Sequence, residues 1–224
     1  GNPAGANSGG TTPTGTKITK PTLAENTFSY QGKTITPTLQ FTNKEDAQHV
    51  TISGDTSKKN VGNYTIRVTP KNEYTWADNS RATLSFSWSI TQAGKIYVNV
   101  ENLTAYVDDT TLPQHKYTIT GLLGEDQGKA KLTFTYRRYK ENGKEENTSK
   151  PDLTKEGKYL VLVSDVTIGN ESFKKNYKGY ICDPGELKIV KKDPIPSGSS
   201  GGGYSGGGSR GGSSGGGGRG YGSR

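Results

Sequence analysis

Residues 61–68 read "VGNYTIRV" and residues 156–163 read "EGKYLVLV". In both, a glycine is followed at every second position by a tyrosine, a β-branched residue and a valine. The first copy is Gly62, Tyr64, Ile66 and Val68; the second is Gly157, Tyr159, Val161 and Val163. A period of two belongs to a strand with one buried face. A glycine ahead of it permits a tight turn or a positive φ. After each copy comes an asparagine with a tyrosine close behind, Asn72 and Tyr74, then Asn176 and Tyr177. A ligand site rarely has to occur twice in one chain, whereas a structural unit often does. The spacing therefore predicts two copies of one β-rich unit.

The segments around these strands agree. "TFSYQGK" places Phe28 and Tyr30 before a turn at Gly32. "TITPTLQF" carries Ile35, Leu39 and Phe41, with Pro37 pointing to an edge strand. "HVTISG" puts Val50 and Ile52 on one face, and "ATLSFSWSI" puts Leu84, Phe86, Trp88 and Ile90 on one face. Beyond "TQAGK" at 91–95, read as a hinge, a second series follows: "KIYVNV", "KYTITG", "AKLTFTYRRY", "KYLVLV" and "GELKIV". The charged stretch at 140–152 is a hairpin loop or a longer excursion. Turn residues recur about every ten positions, and no window holds a helical period. The expected fold is all-β: two tandem antiparallel β-sandwich domains, 17–92 and 93–192.

The ends are different. Residues 1–16 are Gly, Pro, Thr, Ser and Asn without periodicity, the composition of a linker. From Ser197 onward 15 of 28 residues are glycine and none is Val, Leu, Ile or Phe. Such a segment cannot bury enough surface to offset its ordering entropy, so 193–224 is expected to be a disordered tail. Its Arg210, Arg219 and Arg224, with interleaved tyrosines, resemble an RNA-binding tail, but three arginines are sparse for that work. A flexible spacer is the preferred reading, with nucleic acid not expected as a partner. The absence of methionine and a first residue of glycine fit a fragment or a processed product. No apolar run approaches the ~20 residues of a membrane span.

The net charge is +8, three of it from the tail arginines. In the body, acids and bases are interspersed, which describes a solvated surface rather than a focused basic stripe. Cys182 is the one cysteine and cannot make an internal disulfide. It reads as a buried, inert thiol. Small extracellular animal domains usually rely on disulfides, so an extracellular domain without them points more to a bacterial surface than to an animal one.

The stretch "LPQHKYTITGLLGED" (112–126) supplies Pro113, Tyr117, Gly121, Leu122, Gly124 and Asp126. The stretch "NYKGYICDPGELKIVKK" (176–192) supplies Asn176, Tyr177, Pro184, Gly185, Leu187 and Ile189. In order and spacing these resemble the bacterial Ig-like repeats often called MBG domains. The first block, with "SYQGKTITP", "SGDTSKKNVGNYTIRV" and "EYTWADNS", resembles a sister repeat. The sequence departs at "AYVDDTTLP", where Val107 follows Tyr106 in place of the family's frequent glycine. The resemblance covers 17–192. It implies Ig-like domains set in tandem with neighbouring repeats in secreted or wall-attached proteins, acting as stalks or adhesive modules rather than enzymes.

Candidate chemistry is thin. No Ser-centred elbow, CxxC, HExxH or phosphate loop is present. His49 and His115 fall one in each domain and read as exposed polar residues. Neither a cofactor nor a metal is expected. Carboxylates at Asp108, Asp109 and Asp126 would suit a hard cation if loops brought them together, with turn residues as the simpler reading. If a glycan or a host surface protein is bound, "NEYTWADNS" offers the best chemistry. Trp76 and Tyr74 would supply a flat ring, and Asn72, Asp78 and Asn79 the short polar groups that hold hydroxyls. Against this stands a core role for Trp76, which is the preferred reading. A carbohydrate-binding module accessory to a glycan-degrading enzyme is the alternative to the stalk.

Overall fold

The computed structural model describes residues 15–194. The chain divides into two compact units that part between Ala93 and Gly94. Both are all-β, and helix is confined to three short 3-10 segments among the described residues. The linker expected at 1–16 and the tail expected at 193–224 lie almost wholly outside the described residues.

The first unit contains β1 (Thr16–Ile18), β2 (Thr22–Leu23), β3 (Thr27–Ser29), β4 (Leu39–Gln40), β5 (Val50–Gly54), β6 (Gly62–Pro70), β7 (Tyr74–Trp76) and β8 (Leu84–Thr91). Its main sheet runs β3-β8-β6-β5. In register, Gly62 faces Ile90, Tyr64 faces Trp88, Ile66 faces Phe86 and Val68 faces Leu84. The alternation read from "NYTIRV" and "ATLSFSWSI" thus becomes one continuous inward face. Two small sheets complete the unit: β1 pairs parallel with β7, and β2 antiparallel with β4. Ile18, Ile66, Val68, Trp76, Trp88 and Ile90 are all buried. At ~25 cal/mol per Å² of apolar surface removed from water, such side chains contribute most of a unit's stability.

The second unit contains β9 (Ile96–Val100), β10 (Leu103–Tyr106), β11 (Tyr117–Thr120), β12 (Ala130–Tyr139), β13 (Glu145–Thr148), β14 (Gly157–Ile168), β15 (Glu171–Ser172), β16 (Tyr180–Asp183) and β17 (Gly185–Val190). One sheet runs β11-β9-β16. The other runs β10-β17-β14-β12-β13, with β15 on β14. The two face each other: the His115 and Tyr117 rings lie against Phe134, and the Tyr180 hydroxyl donates to the Val163 carbonyl. The charged stretch at 140–152 is a hairpin, closed by β13 returning along β12.

The main sheets of the two units share one strand order. In each, the strand with the G-x-Y spacing, β6 or β14, sits inside its main sheet. On one side it pairs antiparallel with the last strand of the unit, β8 or β17; on the other with an earlier one, β5 immediately before β6, or β12, which is separated from β14 by the added strand β13. The last strand then pairs parallel with an early one, β3 or β10. The second layer matches only in part: the first strand pairs parallel with β7 or β16, but β4 pairs with β2 in a separate two-stranded sheet, whereas β11 pairs with β9 itself. A 3-10 segment precedes β5 and another precedes β12, and each buries an aspartate, Asp46 or Asp126.

Several expectations are corrected. The sheets are mixed, not antiparallel throughout. In each unit an early strand and the last strand run in the same direction and pair in parallel. Gly62 and Gly157 do not have positive φ. Each lies in the strand, on the same face as the tyrosine two residues on. A Cβ at Gly62 would come within 2.9 Å of the Tyr64 hydroxyl, and one at Gly157 within 3.5 Å of the Tyr159 ring. The glycine leaves room for the ring to fold back over the strand. Ile52 is 44% exposed despite facing Val68, because β5 is an edge strand. Tyr74 lies within β7 opposite Thr16, whereas Tyr177 precedes β16, so the two Asn–Tyr pairs are not equivalent.

Candidate functional site

The residues singled out at 72–79 do meet at one turn. β7 ends at Trp76, and the chain reverses through Asn79, whose φ is +66°. Asn79 N–H donates to the Trp76 carbonyl, and Trp76 N–H to the Ser80 carbonyl. Asp78 closes the turn by accepting from Ser80 N–H at 2.9 Å. Its other oxygen takes the Lys20 ammonium at 2.7 Å. That bond, with those from Ser80, holds the Asp78 carboxyl well below the usual carboxylate range.

The ring that a glycan would need is elsewhere. Trp76 is 0% exposed, and its indole N–H donates to the Ala82 carbonyl at 2.7 Å. A buried indole offers no face to a sugar, so the platform loses its centre. Tyr74 is half-buried and stacks on His49, with centroids 4.1 Å apart and planes 10° from parallel. Asn72, Asp78 and Asn79 remain exposed, without an open aromatic between them. The reason is register: β7 pairs with β1, which sets Trp76 opposite the buried Ile18 and turns its ring into the core.

Neither histidine is the exposed polar residue expected. His115 Nε2 lies 2.6 Å from the Tyr136 hydroxyl, among Phe134, Tyr136 and the nearby Tyr117. Its Nδ1 is buried with no hydrogen-bond partner. Burial pushes the His115 pKa down and the Tyr136 pKa up. The imidazole–phenol pair packs against Phe134 between the two sheets.

The three aspartates do not converge on a cation position. Asp126 accepts from the Tyr177 hydroxyl at 2.7 Å, and that hydroxyl accepts from Leu123 N–H. Burial raises the Tyr177 pKa, and Asp126 adds to the effect. Asp109 accepts from Tyr106 N–H and pairs with Lys192. Asp108 has φ +65° in the same turn. Among the described residues, no cluster of three or more His, Cys, Asp or Glu has metal-binding geometry. Cys182 is half-buried, and burial raises its thiol pKa, which keeps the sulfur protonated.

An open cleft of about 740 Å³ lies on the outer face of β12, β14 and β17, lined by Arg138, Tyr139, Lys158, Lys188 and Val190 among others. Lys158 and Lys188 are directly paired across the ladder. Both reach Glu186, at 3.9 and 3.5 Å, which offsets their charge. Exposed pairs of this kind contribute little to stability. The surface suits weak polar contact. Sequence reading missed it because single strands do not reveal which outward residues become neighbours.

No family model matches the chain, and no curated protein matches it.

Proposed function

We propose that the chain is a pair of tandem Ig-like β-sandwich modules of the MBG kind, in a surface or secreted bacterial protein. Their role is non-catalytic: they space and present neighbouring parts of that protein and meet a host or glycan surface. The observation that carries this reading is the duplication of the main-sheet order, β3-β8-β6-β5 in the first unit and β10-β17-β14-β12 in the second. A duplicated framework is what a spacer built from repeats requires. A second feature supports the Ig-like assignment. Tyr64 donates its hydroxyl to the Asn60 carbonyl at 2.6 Å, and the Tyr159 hydroxyl accepts from Asp152 N–H at 3.0 Å. A tyrosine near the start of a strand, tied to backbone a few residues upstream, is a corner device of Ig-like sandwiches.

The side chains with the most chemical potential in the sequence are engaged in holding the units together: Trp76, Trp88, His115, Asp126 and Tyr177. The test is protease shaving of intact cells that produce the parent protein. Release of peptides from 15–194 into the medium is the expected result. Their retention behind an intact membrane overturns the location. Turnover of any glycan substrate by the purified chain overturns the non-catalytic role.

A further inference from the structure

We propose that the second unit is a load-bearing clamp, in which tension applied through its two ends is carried in shear by two parallel pairings in one register, residues 96–99 with 180–183 and residues 103–106 with 187–190. The proposal rests on the reading of the chain as a spacer and says what that spacer withstands. In β9 and β16, Ile96 faces Tyr180 and Asn99 faces Asp183. In β10 and β17, Leu103 faces Leu187 and Tyr106 faces Val190. The partner is 84 positions ahead in both (180 − 96 and 187 − 103). The first and last segments of the unit thus stay in one register while both cross from one sheet to the other.

The crossing point is built for close approach. A Cβ at Gly185 would lie 2.5 Å from the Glu101 carbonyl oxygen and 2.8 Å from that of Val100. Where the ladder is interrupted, Asn102 Oδ1 accepts from Glu186 N–H at 2.9 Å. The pairing is extended at both ends, by Ile96 N–H to the Gly179 carbonyl and by Val107 N–H to the Val190 carbonyl. Ile96, Val98, Ala105, Leu187 and Ile189 are buried along it, which keeps water from replacing the bonds one at a time.

Direction does the rest. With parallel strands, the start of the first and the end of the last lie at opposite poles. Pulling on them slides the strands past each other and loads all the ladder bonds together. The antiparallel pair β14/β17, opened at Glu156 and Lys191, would instead part in succession from Gly157 and Ile189. The first unit has a weaker version. Its two parallel patches, β1/β7 and β3/β8, hold three pairs each and differ in offset, 58 against 62 (74 − 16 and 89 − 27). The chain leaves the register between them at 77–83.

Single-molecule pulling on the full chain tests this, because forced unfolding reports the unfolding barrier. Held at its ends, the chain should unfold in two steps. The steps are distinguished by released length, up to about 330 Å for 96–190 and about 270 Å for 16–91 at ~3.5 Å per residue. The longer step is expected at the higher force, and at several-fold the force needed when the same chain is held at positions 156 and 191. Equal forces in the two geometries, or a longer step at the lower force, overturn the proposal. Gly185→Val should lower the force of the longer step. Asn102→Ala, which adds no bulk, should lower it too if the valine variant does not fold, and an unchanged force in Asn102→Ala counts against the clamp. Failure here leaves the surface location standing, since shaving reads that separately; a chain shown not to be at the surface would still give these forces if the clamp is real.

Discussion

The first unit fills its core with two indoles, and the second has no tryptophan. In the first, Trp76 and Trp88 each donate their N–H to a backbone carbonyl, of Ala82 and Asp55. In the second, a set of smaller rings does comparable work, with Tyr136 bonded to His115, Tyr159 to Asp152, Tyr177 to Asp126 and Tyr180 to Val163. Even where the parallel ladders match, the side chain differs: Trp76 stands opposite Ile18, and Tyr180 opposite Ile96. What is kept is the main-sheet strand order and a partner for each of these indole N–H and phenol groups. A buried N–H or O–H without one would cost about 1–3 kcal/mol. The units therefore differ in where they are vulnerable.

The largest effect should come from the indoles. Trp76→Ala is expected to destabilise the first unit by ~3–5 kcal/mol, the range for emptying a buried tryptophan site. In a denaturant titration with probes in each unit, its transition should move far to lower concentration while that of the second unit stays in place. A small shift would mean that the ring is not core. The next effect separates two glycines of the second unit. Gly185→Ala pushes a methyl into the carbonyls of Glu101 and Val100, a backbone clash expected to cost ~1–3 kcal/mol. Gly157→Ala makes ordinary contacts with the Tyr159 ring at 3.5 Å and the Arg138 guanidinium at 3.9 Å and should change stability by less than about 0.5 kcal/mol. Equal costs for the two would break the account of the crossing point.

Tyr64→Phe and Tyr159→Phe probe the repeated corner. Each removes one hydrogen bond to upstream backbone, a loss of about 0.5–1.5 kcal/mol. Matching losses in the two units are expected by thermal melting; a loss in one alone would make the likeness superficial. The smallest effect is one of pH. The folded-state pKa of His115 lies below its unfolded value near 6.5. The unfolded chain therefore binds the extra proton first. The second unit should hold full stability from this residue above about pH 6.5 and lose it as pH falls below that. Melting temperatures of wild type and His115→Gln, compared at pH 7.5 and 5.5, check it. The wild-type drop in the second unit should shrink in the variant.

Much of the main sheets was legible because one face of a strand is written at every second residue. Ile66, Val68, Trp88 and Ile90, and likewise Tyr159, Val161 and Val163, are buried as their spacing requires. The parallel pairing was not legible. Nothing in "KIYVNV" or "GELKIV" says which other strand lies beside it, since partners 84 positions apart are chosen by the whole core. The glycines of the repeat were read as turn residues, although the tyrosine two positions on stands in the same motif and, at Gly62, lies where a Cβ would come within 2.9 Å of its hydroxyl. Ile52 looked inward by alternation and is exposed by position, because an edge strand can lack a cover on its buried-type face. At 72–79 the residue types were those of a sugar contact. Only the pairing of β7 with β1 decides that Trp76 faces the core.

The central claim is that both main sheets follow one strand order in which an early strand and the last strand pair in parallel. Cross-strand backbone contacts measured by solution NMR on the full chain test it most directly. The account predicts Hα-to-amide contacts of the parallel kind between Phe28 and the Ser89–Thr91 stretch, and between Leu103–Tyr106 and Leu187–Val190. Antiparallel contacts at either place, or their presence in one unit and absence in the other, would contradict it.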